Sequence, residues 1–310
     1  MTRQKRSWVV VESAGTPAGW VAQRTIRARL DAVWNETQAA VGHPADTDNV
    51  HRLRVATRRT LAAFAAFRDL LPPKRRAWFE KRLRRLRRAA GDARDLDVLT
   101  GRLAPGNQDG GADPGSVARA RLIAMLSRQR DVSRRPIRDL HDELVEAGWA
   151  GKVEALLARI PAGRGQPTFG RYARRRLPPI VGRFFTKADR RLHDDDDVHA
   201  LRIAGKKLRY ILEIFAPVFP QPVRARCQDA LERLQETLGE FTDHAAAADR
   251  FQRLGRQRSM TSNRATLAVL RKREATLASE ARKAFVKWWN PVRRRELRRT
   301  FERSLRRRTA

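Results

Sequence analysis

A single cysteine, Cys227, stands among 310 residues. A lone cysteine excludes an intramolecular disulfide framework and any zinc or iron–sulfur site that needs several thiolates. It fits a reducing cytosol. No stretch approaches the roughly 20 apolar residues of a spanning helix; Ile214 to Val223 is among the longest charge-free runs, and Pro217, Pro220 and Pro222 interrupt it. Basic residues at the N-terminus precede only a short apolar run, Trp8 to Val11, so no secretory signal is expected. Strand signals are also scarce. β-branched residues rarely alternate, and the one Asp-Gly dipeptide, Asp109-Gly110, lies in a polar, glycine-rich stretch. Acid is the remaining shortage: 34 Asp+Glu stand against 67 Lys+Arg, a net charge of +33. With 41% hydrophobic residues the chain is expected to fold, as one large domain or two smaller ones, rather than to remain a basic tail. Such a field attracts polyanions, whether nucleic acid, an anionic membrane surface or polyphosphate, and composition alone does not choose among them.

Catalytic signatures are missing as well. Gly165 to Gly170 has the glycine spacing of a phosphate loop, but Arg171-Tyr172 follows in place of Lys-Ser/Thr. There is no Gly-x-Ser-x-Gly elbow, no His-Glu-x-x-His helix and no cysteine–histidine arrangement with a supporting context. No pair of carboxylates stands out as general acid and base. Neither a catalytic residue, a cofactor nor a resident metal is expected.

What the chain has in abundance is helical. Ala, Arg and Leu dominate, all strong helix formers. The apolar period predicts helices near 18–42, 48–71, 74–99, 116–134 and 137–160, then near 170–192, 196–216, 222–252 and 262–288. Gly101 to Gly115 reads as a loop within the first half, and Pro161 to Gly170 as a linker between halves. The last residues, Pro291 to Ala310, form an arginine-rich tail that either extends a helix or stays mobile.

A shift of 148 residues lays the segment from His51 to Leu99 on a later one without a gap. His51, Leu53, Arg54 and Ala56 fall on His199, Leu201, Arg202 and Ala204, and Arg58-Arg59 on Lys206-Lys207. Farther on, Phe67, Pro72, Leu83, Leu86, Gly91 and Asp95 meet Phe215, Pro220, Leu231, Leu234, Gly239 and Asp243. One register held through two separated motifs reads as an internal duplication, with two helical bundles each giving one copy of a site. At 100° per residue, His51, Arg54 and Arg58 share an arc of about 60°. Leu53, Thr60, Phe64, Phe67 and Leu71 take the opposite side. In the second copy His199, Arg202 and Lys206 form the polar stripe; Leu201, Leu208, Leu212, Phe215 and Phe219 form the apolar one. The histidines therefore do not face the core, and the stripes present N–H donors to an anion. The third helix adds Arg84, Arg85, Arg87 and Arg88 above an apolar side of Phe79, Leu83, Leu86 and Ala90. Asp92, Asp95, Asp97, Asp243 and His244 are expected to pair with arginines or to orient histidines. Asp194 to Asp197, between His193 and His199, are expected to cap a helix.

These motifs are similar to those of a known family. His51-x-x-Arg54-Val55-x-x-Arg58-Arg59, the Gly91-x-x-Arg94-Asp95-x-Asp97 turn, His199-x-x-Arg202-Ile203-x-x-Lys206-Lys207-x-Arg209-Tyr210-x-x-Glu213 and Leu238-Gly239-x-x-x-Asp243 together resemble the CHAD family, the conserved histidine α-helical domain. The resemblance covers roughly residues 17–290, with repeat one over 17–160, the linker over 161–170 and repeat two over 171–290. It implies an all-α fold of two antiparallel helical bundles, related by a pseudo-two-fold around a basic central cavity. It implies non-catalytic binding of inorganic polyphosphate and a cytoplasmic protein associated with polyphosphate granules and their proteins. Carried over residue by residue, the binding set is His51, Arg54, Arg58 and Arg59 with His199, Arg202, Lys206, Lys207 and Arg209. Arg84, Arg85 and Arg88 are added from the basic third helix. No room remains for the triphosphate-tunnel domain that many relatives carry, so a stand-alone CHAD protein is expected. Where the first copy has its arginine-rich third helix, the second has Glu232, Gln235 and Glu236, so the halves are not expected to contribute equally. A nucleic-acid-binding helical protein is the main alternative, although no stacking platform or helix-turn-helix is evident. An enzyme of phosphate metabolism is the other.

Overall fold

The computed structural model describes residues 13–103, 116–163, 165–190, 195–219 and 221–306. The loop expected from Gly101 falls outside these residues beyond Leu103, as do His193 and Asp194. The fold is all-α. In chain order the helices are α1 (Ala18–Gly42), α2 (Thr47–Ala66), α3 (Pro73–Leu103), α4 (Ser116–Ser133), α5 (Arg135–Glu146), α6 (Trp149–Leu157), α7 (Phe169–Ala188), α8 (Asp195–Phe215), α9 (Gln221–Gly255), α10 (Arg264–Trp288) and α11 (Pro291–Arg306). The only β pairing among the described residues is an isolated bridge between Pro17 and Thr168.

Local chemistry sets the ends. Asp46 caps α2 by accepting from the Asp48 backbone N–H at 2.8 Å. Thr168 caps α7, and Asp195, Asp196 and Asp197 lie in the first turn of α8. The single helix expected over 137–160 is two, because Gly148 takes the left-handed conformation (φ 68°) and breaks the run between α5 and α6. At its other limit α3 runs on to Leu103, past the Gly101 at which the sequence suggested a loop.

Helices α1, α2 and α3 pack in sequence, as do α7, α8, α9 and α10; α2 on α8 and α1 on α7 join the two halves. The main core does not stop at the linker. Phe67, at the end of α2, meets Phe215, at the end of α8, edge to face at 6.0 Å, and both touch Phe169 and Tyr172 of α7. Phe67 and Phe215 are counterparts under the 148-residue shift. The linker itself is docked: Phe169 and Gly170 donate backbone N–H groups to Thr16 and Ala14, each at 2.7 Å. A second core lies where the long helices α3 and α9 outrun the first, with Leu99, Leu122, Phe251 and Leu267 among its buried residues. Within that end of the molecule Asp97 is paired with Arg134 at 3.2 Å, and His244 of α9 holds Glu274 of α10 at 2.7 Å, with Arg102 of α3 on the same carboxylate.

Over its described residues, Pro291–Arg306, the tail is a helix. Leu297 and Phe301 of α11 are buried against α7 and α9, Phe301 lies edge to face with Phe185 at 6.1 Å, and Arg298 pairs with Asp189. No helix among the described residues is long and apolar enough to cross a membrane.

Candidate functional site

The site is laid down by the apolar stripes of two helices. Leu53, Thr60 and Phe64 on α2, and Leu201, Leu208 and Phe215 on α8, are buried. Turning those sides inward turns His51, Arg54 and Arg58 outward on one helix, and His199, Arg202 and Lys206 outward on the other. Because α2 and α8 pack together, the two polar stripes meet in one seam. Gly205 permits the approach of the flanking helix α9: a Cβ there would stand 2.8 Å from a Leu234 methyl. Along the seam the histidines are exposed, while Arg54, Arg58, Arg202 and Lys206 are half-buried.

Helices α3 and α9 supply the seam's acid. Arg54 donates to Asp95 at 3.1 Å, and Arg202 to Asp243 at 3.3 Å. A shift of 148 residues carries one contact onto the other. The two carboxylates do not balance the cations. Lys206 is pushed down to about 7, first by burial and then by Arg202 and Arg58. Arg58 is pushed down to about 10 by burial, then by Arg54, Arg202 and Arg87. Burial lowers Arg202 in spite of Asp243. It lowers both histidines too, with Arg94 adding to the effect at His51 and Arg202 at His199. Arg202 also buries an Nε that has no acceptor. Positive charge crowded into partly desolvated space is unfavourable, and a bound anion would relieve it.

The remaining candidates divide. Arg59 and Arg209 turn to Glu213, 3.6 Å from each and only 7% exposed, and lean on the ring of Tyr210. They brace α2 against α8 below the seam. Lys207 also leaves the seam, since its strongest charged neighbours are Arg183 of α7 and Arg68. Glu80 holds Arg84 at 2.8 Å, and Glu143 of α5 holds Arg85 at 2.5 Å. Arg88 is exposed beside Arg87. Two contributors escaped the sequence-based set, Arg87 and Arg94. The signal for them was present. Arg87, Gly91, Arg94 and Asp95 lie at helical spacing on one face of α3, so the Arg54 partner Asp95 marks its neighbours. In the second half, Gln235 and Thr242 stand where Arg87 and Arg94 do, and Glu232 is drawn to Arg209 at 3.7 Å. The basic flank is therefore one-sided. The arrangement offers positive charge and N–H donors, and it holds Lys206 down to about 7.

Comparison with known proteins agrees with this architecture. A CHAD domain family model matches residues 24–252. The chain is similar in fold to a CHAD domain crystal structure from the plant Ricinus communis, at 19% identity and a TM-score of 0.69, with 97% of each chain covered. It is similar also to PptA from Streptomyces chartreusis, at 17% identity and a TM-score of 0.61, covering 88% of this chain and 99% of the other. A comparison with curated proteins returned no match. The family match spans most of the chain and takes in both motif helices, and the protein belongs to the CHAD domain family.

Proposed function

We propose that the protein binds inorganic polyphosphate, without turning it over, through the α2–α8 seam, and that this binding associates it with polyphosphate granules and their proteins in the cytoplasm. One observation carries the reading: helices from both halves bring His51, Arg54, Arg58, His199, Arg202 and Lys206 together with too little acid to neutralise them, and burial, with Arg202 and Arg58 adding to it, holds Lys206 down to about 7. Polyphosphate is a flexible chain with about one negative charge per phosphate. Arginine forks grip phosphate oxygens in pairs, and lysine adds a point charge. The association of the CHAD family with polyphosphate supports the choice of polyanion. The seam has no exposed aromatic platform for stacking bases, since Phe64, Phe67 and Tyr210 are buried.

The test is equilibrium binding of labelled long-chain polyphosphate at near-physiological salt, with DNA, RNA and heparin as competitors, alongside an assay for released phosphate. Selective binding without phosphate release supports the proposal. Equal displacement by every polyanion, or steady release of phosphate, contradicts it.

A further inference from the structure

The acids of this protein stand in two different relations to their arginines. Where they brace one helix against another, the carboxylate is the more buried partner, as with Asp97 against Arg134 and Glu213 between Arg59 and Arg209. In the seam the order is reversed. Asp95 is 70% exposed against 24% for Arg54, and Asp243 is 57% exposed against 15% for Arg202. The carboxylates therefore stand on the solvent side of the guanidinium groups, the side from which an anion must arrive. There they occupy N–H donors, at 3.1 and 3.3 Å.

The two pairs form one cluster. Burial lowers Arg202; Asp243 opposes the effect, Arg54 adds to it and Asp95 opposes it again, so Arg202 lies in the field of both pairs. Both pairs persist under the 148-residue shift, although the flanking Arg87 and Arg94 give way to Gln235 and Thr242. What the two halves keep in common beside the cations is the acid that covers them.

An ion pair with an exposed partner is weak, so each carboxylate holds its arginine without locking it. It nevertheless competes as an intramolecular ligand, at an effective concentration of about millimolar or above. A single phosphate has no such advantage. A chain of linked phosphates does, because once one unit is held the next is itself intramolecular.

We infer that Asp95 and Asp243 are internal competitors of the polyanion: they cover Arg54 and Arg202 until a chain of linked phosphates displaces them, and so exclude single anions. The inference rests on the proposed role of the seam and adds to it the residues that set its selectivity.

The experiment uses the full chain in five forms: wild type, the seam-acid variant Asp95→Asn/Asp243→Asn, the arginine variant Arg54→Ala/Arg202→Ala, these two combined, and a control, Glu146→Gln/Glu280→Gln, which removes the same charge from exposed acids of α5 and α10. Each is titrated with long-chain polyphosphate, with and without orthophosphate at about 10 mM, above the effective concentration expected of a weakly tethered competitor, and at constant ionic strength. The seam-acid variant is expected to bind the chain about fivefold more tightly than wild type, and the control to differ from wild type by less than about twofold. Orthophosphate should erase the gain of the seam-acid variant and leave wild type almost unchanged. With both arginines already removed, the two Asp→Asn changes should have no effect, because the acids act only through them. Weaker binding by the seam-acid variant overturns the inference, since the carboxylates would then be positioning the arginines. So does a gain equalled by the control, or one that survives loss of the arginines. If wild type does not bind polyphosphate, or the arginine variant binds it as wild type does, the seam reading itself fails and the inference falls with it.

Discussion

Lys206 shows what the seam costs in stability, and what the proposed binding would gain from it. In the folded chain it gives up its proton near pH 7, against 10.5 for an ordinary lysine. Between those values the unfolded chain binds more protons, so this residue makes stability rise with pH across the window and weakens the fold most below pH 7. Lys206→Met is accordingly expected to raise the melting temperature by about 2 °C at low pH, with the gain fading as the solution becomes alkaline. The same change should weaken polyphosphate binding by about tenfold, the loss of one charge-assisted contact. Binding has the opposite pH sense to stability. Phosphate favours the protonated forms of Lys206, His51 and His199, all held below their ordinary values in the free protein. Affinity should therefore climb between about pH 8 and about pH 6, with proton uptake measurable by calorimetry in buffers of different ionisation heat. Equal affinity across that range would contradict the assignment. Glu213 differs in kind. Its removal would leave Arg59 and Arg209 without their shared carboxylate, although both are partly exposed and Arg209 keeps Glu232, so Glu213→Gln should cost about 1 kcal/mol of stability in denaturant titration.

At the scale of elements, the helices were legible because their apolar stripes were. The spacing of Leu53, Thr60, Phe64 and Phe67 placed the core side of α2 and, by exclusion, its polar side; α8 followed by the same rule. What the motif could not separate is two neighbours on one helix. Arg58 and Arg59 read as a unit in sequence but point about 100° apart, one into the seam and the other to Glu213. Lys206 and Lys207 part in the same way. Nor does any sequence period announce that Glu143 of α5 will take Arg85, since that depends on how α5 crosses α3. The break between α5 and α6 was missed because Gly148 looks like any tolerated glycine until its φ is known. Close approach is the other property hidden from the sequence. A Cβ on Gly19 would stand 1.5 Å from the Pro161 carbonyl oxygen. Gly19→Ala is expected to force α1 from the docked linker and to cost about 2 kcal/mol, read as a lowered melting temperature.

For the whole molecule, the 148-residue register is matched by contacts: Arg54–Asp95 against Arg202–Asp243, and Phe67 against Phe215 across the junction. The residue register could be read directly, but the shared core could not, because the sequence does not say that the counterpart phenylalanines touch each other. Departures from the register show where the halves differ in charge. Arg87 and Arg94 make the α3 flank basic, and Gln235 and Thr242 make the α9 flank neutral. A net charge of +33 guarantees some attraction to any polyanion, and counterion release should make that attraction fall steeply with salt, by tenfold or more between roughly 50 and 200 mM for several phosphate contacts. The claim that matters is that affinity comes from the seam rather than from this overall field. The most direct test is the affinity of Arg54→Ala/Arg202→Ala for long-chain polyphosphate, compared with that of Arg85→Ala/Arg175→Ala, which removes the same charge outside the seam. The account predicts a loss of about a hundredfold for the first pair and a minor change for the second. Equal losses in the two would show that charge, and not the meeting of α2 with α8, makes the site.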